Sequence, residues 1–122
     1  MDDNDKARLV GSLRLGIGAA LLVAPGKAGK IWVGPGADDR GAQVFARALG
    51  ARDAVLGLKT LSELGQKKEM KHWLQLGAAA DAADTVATVV AWRALSPGRR
   101  IIMPLVAAAV GFIGWTVANT ID

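Results

Sequence analysis

The stretch from Ala46 to Leu61, ARALGARDAVLGLKTL, decides how the rest of the chain is read. Ala46, Gly50, Ala54 and Gly57 recur at three- and four-residue intervals, which places them on one small-residue face of a helix. Such a face lets two backbones approach closely, as in lipid, where helix association rests on van der Waals contact. The same segment also carries Arg47, Arg52, Asp53 and Lys59. It is either a water-soluble helix or a membrane helix whose charges turn inward.

Composition favours the membrane. The 122 residues fit one domain. They are 52% hydrophobic, with 15 glycines, two phenylalanines and no tyrosine. A soluble core leans more on aromatic side chains, each of which buries a large apolar area. The charged fraction, 21%, is close to the soluble average of about 25% and argues the other way, so the positions of the charges must decide. The chain has no cysteine, which excludes disulfides and thiolate chemistry. Its start, MDDNDKAR, is acidic where a secretory signal is basic, so no cleaved signal peptide is expected.

Four helical segments are predicted, at residues 9–24, 41–64, 73–92 and 101–118, and no strand. Pro25, Pro35, Gly65 and Pro97 punctuate the connections. PGKAGKIWVGPGADDR reads as a loop, GQKKEMKH as a charged linker and RALSPGRR as a turn. Asp38 or Asp39 is placed to cap the second helix, and Ser96 with Pro97 to start the fourth. The fourth segment carries no charge and is about 27 Å long at 1.5 Å per residue, near the thickness of a bilayer's hydrocarbon core. Ala107, Gly111, Gly114 and Ala118 share one face of it, a second close-packing surface beside that of Gly50 and Gly57. Trp73 and Trp92 frame the third segment as tryptophans frame a membrane span.

The third segment also holds Asp81 and Asp84. Each charge at the centre of an inserted helix costs about 2.5–3.5 kcal/mol, whereas each leucine or valine contributes only about 0.3–0.6. The second and third segments therefore do not insert as lone helices. Arg14, Arg47 and Arg52 match Asp53, Asp81 and Asp84 in number, however, and intramembrane charges point into the bundle and pair. The expected fold is all-α, a four-transmembrane-helix bundle with a charge-paired interior. Lysines and arginines divide too evenly between its two ends to set an orientation.

Catalytic motifs fail on inspection. PGKAGKI has Ala24 and Ile31 where a phosphate loop needs glycine and a hydroxyl residue, and GIGAAL lacks the third glycine of a dinucleotide fingerprint. His72, the one histidine, sits in the lysine-rich linker and reads as an interfacial side chain. The basic residues are not interleaved with tryptophan as a nucleic-acid surface would require. No metal site, cofactor or catalytic residue is predicted, and the protein reads as a non-enzyme. Asp81 with Asp84 carries two readings: a permanent ion-pair network that sets helix register, or a proton- or ion-coupling group.

RLGIGAALLVAP, IWVGPG, RALGARDAVLG and AAADAADTVAT together resemble an uncharacterised family of small four-helix integral membrane proteins of high-GC bacteria. The resemblance spans roughly residues 8 to 95 and is most specific from Arg47 to Gly57. It implies a multi-pass protein of the bacterial cell membrane and brings no activity. The expected role is a helical interaction module, self-assembling or an accessory subunit, with lipids and another membrane protein or a second copy as partners. A small oligomeric transporter or channel is the alternative, and lipid-headgroup binding among the arginines a third.

Overall fold

The computed structural model describes residues 2–32, 34–35, 39–90 and 98–121. Five helices account for nearly all of them: α1 (Asp3–Val23), α2 (Pro25–Trp32), α3 (Arg40–Ser62), α4 (Lys67–Val90) and α5 (Arg99–Asn119). No strand occurs among the described residues. The all-α expectation holds, but the described residues form five helices rather than four.

Each helix boundary has a local cause. Asp2 caps α1 reciprocally with Asp5: the Asp5 amide donates to Asp2 Oδ1 at 2.8 Å, and the Asp2 amide to Asp5 Oδ2 at 3.4 Å. Asp39, one of the two expected caps, accepts the Ala42 amide at 3.1 Å. Ala24 leaves the α-region because it precedes Pro25, whose ring disfavours a helical conformation there. Pro25 then opens α2 at a first-turn position, where its missing N–H costs nothing. The two helices meet at a bend of 120°.

The first half of the expected loop, residues 25–32, is therefore helical, as is most of the expected linker. Glycine, proline and lysine hid α2, although Ile31 and Trp32 close it with apolar side chains. Lys67, Lys68, Glu69 and Met70 are good helix formers that extend α4 beyond its apolar part. Hydropathy had marked only the apolar stretch. The expected Trp92 boundary and the Ser96–Pro97 start lie outside the described residues.

Two helix pairs carry the architecture. α1 and α3 run antiparallel with their backbones in contact: Gly11 meets Gly57, and Gly18 meets Gly50. A Cβ on Gly18 would lie 2.5 Å from the Gly50 carbonyl oxygen and the Ala54 amide nitrogen; one on Gly57 would lie 2.6 Å from the Gly11 oxygen. α4 and α5 form the second pair, in which a Cβ on Gly111 would lie 3.2 Å from the Asp81 Cβ and one on Gly114 3.7 Å from the Ala78 Cβ. Ala107 and Ala118 are buried along the same face. Both close-packing faces named from sequence, Gly50 with Gly57 and Ala107 with Gly111 and Gly114, are thus covered inside the molecule and are not free for a partner.

The pairs touch each other more sparsely. At one end Ala7, Met70, Leu74, Ala118 and Ile121 build a small apolar core. There the Gly65 amide donates to Asn4 Oδ1 at 2.9 Å, and Lys6 Nζ to Thr120 Oγ1 at 3.3 Å. Towards the middle of the bundle, charged side chains bridge the pairs. Among the described residues no single helix is long and apolar enough to cross a membrane, whereas the bent pair α1–α2 passes that test by length and composition.

Candidate functional site: the ion-pair cluster between the helix pairs

Arg14 projects from α1 towards α4 and grips Asp81 with both ends of its guanidinium. Nη1 donates to Oδ1 at 3.2 Å and Nη2 to Oδ2 at 2.5 Å. Both residues are only 7% exposed. A two-pronged arginine–carboxylate pair fixes distance and orientation together. Gly77, one turn before Asp81, makes the space: a Cβ there would lie 2.7 Å from Arg14 Nε and 2.9 Å from Cζ. The guanidinium occupies the space that a side chain at position 77 would fill.

A second pair repeats the pattern one turn on. Arg52 of α3 donates from Nη1 to Asp84 Oδ1 at 3.0 Å and from Nη2 to Oδ2 at 2.6 Å. The spacing of Asp81 and Asp84 presents both carboxylates on one helix face, so α4 offers one to each helix of the opposite pair. This bridge is about a third exposed at either side chain. Arg52 Nε is buried without a partner.

Asp53 sits between the two arginines and is held loosely by both, at 3.4 Å from Arg14 Nη1 and 3.7 Å from Arg52 Nη2. Neighbouring hydroxyls turn to their own helix: Thr85 donates to the Asp81 carbonyl at 2.9 Å and Thr88 to the Asp84 carbonyl at 2.7 Å. Thr88 Oγ1 also accepts the Trp32 indole N–H at 3.3 Å, which ties α2 to α4 beside the cluster.

Five of the six expected network residues therefore meet: Arg14, Arg52, Asp53, Asp81 and Asp84. Arg47 does not. It is exposed and donates from Nε to the Leu22 carbonyl at 3.4 Å. Leu22 lies in the last turn of α1, whose carbonyls lack helical partners, so an arginine is favourable there. The expected match of three cations to three anions becomes, among the described residues, two guanidinium groups against three carboxylates. Two participants are not evident from the sequence: Trp32, because its segment reads as loop, and Gly77, because its four-residue spacing from Asp81 does not show what the glycine makes room for.

A crevice of about 330 Å³ opens onto the cluster. Arg14, Asp53, Asp81, Asp84 and Trp32 line its polar side, and side chains of α1 and α5 its apolar side. Among the described residues no three His, Cys, Asp or Glu side chains converge as a metal ligand set. Neither a family model, nor a curated protein, nor a solved structure matches this chain, so the resemblance to small four-helix bacterial membrane proteins gains no support from those comparisons.

Proposed function

We propose that the protein is an integral membrane protein of four spans, α1, α3, α4 and α5, with α2 folded back at one end. The inverted distribution of its side chains carries the reading. Arg14 and Asp81 are buried, while Leu13, Ile17, Phe45, Val55, Val86 and Phe112 are all more than half exposed. In water that arrangement exposes aliphatic and aromatic surface and buries charge, both of which are unfavourable. In a bilayer it places apolar groups in lipid and pairs the charges internally. The four long helices have 21 to 24 residues, about 31–36 Å each, enough to cross roughly 30 Å of hydrocarbon. Charged side chains crowd both ends: Asp3, Lys6, Lys67 and Lys71 at one, Lys27, Lys30 and Arg40 at the other. For α1, α3 and α4 a hydropathy window counts each charge against its helix, whichever way that charge points.

Within the membrane the chain acts as a helical interaction module, joining a second copy or another membrane protein. A shallow apolar groove on the outer side of α4 and α5 supports this role. Ala79, Ala82 and Ala108 line it with Phe112 and Trp115, and the three alanines are small enough for another backbone to approach. The Arg14 and Arg52 forks are already occupied by carboxylates, which favours this role over headgroup binding among the arginines. Alkaline carbonate washing of membranes tests the placement: the protein stays in the pellet and comes out only with detergent, and release into the wash rejects it. For the assembly role, Ala82→Trp is expected to abolish a defined complex seen by native mass spectrometry in mild detergent.

The crevice favours a second reading, a small transporter or channel. Its pathway would run past Asp53, Asp81 and Asp84 and not Arg47, which faces away. Flux through liposomes carrying the protein, lost in Asp53→Asn, would favour this reading over the interaction module.

A further inference from the structure

Among the described residues, Asp53 is the least compensated of the interior charges. The charged groups facing it are Arg14, Arg52, Asp81 and Asp84. Both arginines direct their short bonds, 2.5 and 2.6 Å, to other carboxylates, and Asp53 receives only 3.4 and 3.7 Å contacts. Its side chain is 14% exposed, and it lines the crevice. A largely buried carboxylate that shares its two cations with closer carboxylates is costly. A cation entering the crevice would relieve that cost.

The walls select the kind of cation. Leu13 and Ile17 of α1 and Val106 and Val110 of α5 line the opening, and all four are exposed on its outer side. Trp32 adds an indole, a favourable partner for an organic cation. A hard metal ion needs six or more oxygen ligands, or retained water, and the carboxylates here do not converge to supply them. The volume, about 330 Å³, lies at the small end of the range for ligand pockets.

We propose that the crevice between α1 and α5, with Asp53 and Trp32 at its floor, binds an apolar organic monocation, an amine or quaternary ammonium with a compact hydrophobic body. The site goes beyond the interaction role and does not depend on what covers the outer groove. The probe is benzyltrimethylammonium, and its neutral counterpart of the same shape is neopentylbenzene, in which carbon replaces nitrogen. Each is titrated against the purified full chain in nanodiscs of zwitterionic lipid, with empty nanodiscs subtracted. The same titration is repeated in mild detergent, which separates binding in the crevice from partition of the probe into the bilayer.

Saturable binding of the cation is expected, with the neutral isostere weaker by about tenfold or more, the scale of a charge-assisted contact. Asp53→Asn should weaken the cation by a similar factor and leave the isostere unchanged. Val110→Phe fills the mouth without touching a charge and should weaken both, which keeps the test intact if Asp53→Asn does not fold. Absence of saturable cation binding overturns the proposal. So does equal affinity for the two probes, or cation affinity unchanged in both a folded Asp53→Asn and a folded Val110→Phe.

Discussion

The guanidinium of Arg14 lies against the backbone of α4 at Gly77, so close that a single added methyl group would overlap Nε and Cζ at under 3 Å. A charge buried from a neighbouring helix, the carboxylate that receives it and the glycine that admits it are one structural unit. Removing any of the three should disturb the same bridge.

Gly77→Ala is accordingly expected to destabilise the fold by about 1–3 kcal/mol, the usual range for overpacking. Gly16→Ala supplies the contrast, since a Cβ there meets nothing within 4 Å. It should be neutral or stabilising by up to about 1 kcal/mol, through helix propensity alone. Unfolding midpoints of the two variants in one detergent decide between these outcomes.

Arg14→Met should cost about 3–5 kcal/mol, because it leaves the buried Asp81 carboxylate without its partner, and Asp81→Asn should cost less, because Arg14 keeps its 3.4 Å contact with Asp53. The pair Arg52–Asp84 is a third exposed, and solvent screening reduces its value well below that. A double-mutant cycle on each pair measures both couplings. The expected order is 14–81 above 52–84, and the reverse order would mean that burial does not set their strength.

Gly18→Ala and Gly57→Ala should damage the α1–α3 contact more than Gly114→Ala damages α4–α5. The atoms that would be struck at 18 and 57 belong to backbone and cannot swing aside, whereas the Gly114 site leaves 3.7 Å to a methyl group. Thermal stability ranks the three variants, and a larger loss at 114 contradicts the packing described.

Arg47→Gln should change stability by less than about 1 kcal/mol, since it removes one long, exposed hydrogen bond to the end of α1. A loss on the scale of Arg14→Met would place Arg47 in the network after all. This is the residue on which sequence and structure differ most. Counting charges placed three arginines inside, but on α3 the faces of residues 47 and 52 are about 140° apart at 100° per residue, and the count could not say which one α4 would meet.

Other parts of the site were legible for a physical reason. Asp81 and Asp84 share a helix face by spacing alone, and the glycines of α1 and α3 recur at intervals that only close packing uses. Spacing alone could not pair Arg14 with Asp81 and Arg52 with Asp84, because the pairing depends on which helix packs beside which. Nor could it reveal α2, since the residues that build it are those that break helices elsewhere, and the burial of Pro25 and Gly29 and the Trp32–Thr88 bond help to hold the segment against the bundle.

The absence of cysteine makes the central claim, charges within and apolar surface against lipid, directly measurable. Nitroxide labels on single cysteines at Leu13, Val55, Val86 and Phe112 would sample the proposed lipid belt, and labels at Arg40 and Lys67 its two ends. In reconstituted bilayers the belt labels should collide readily with oxygen and poorly with a water-soluble nickel chelate, and the end labels should do the opposite. Ready access of the nickel chelate to Leu13, Val55, Val86 and Phe112 would place that surface in water and contradict the account.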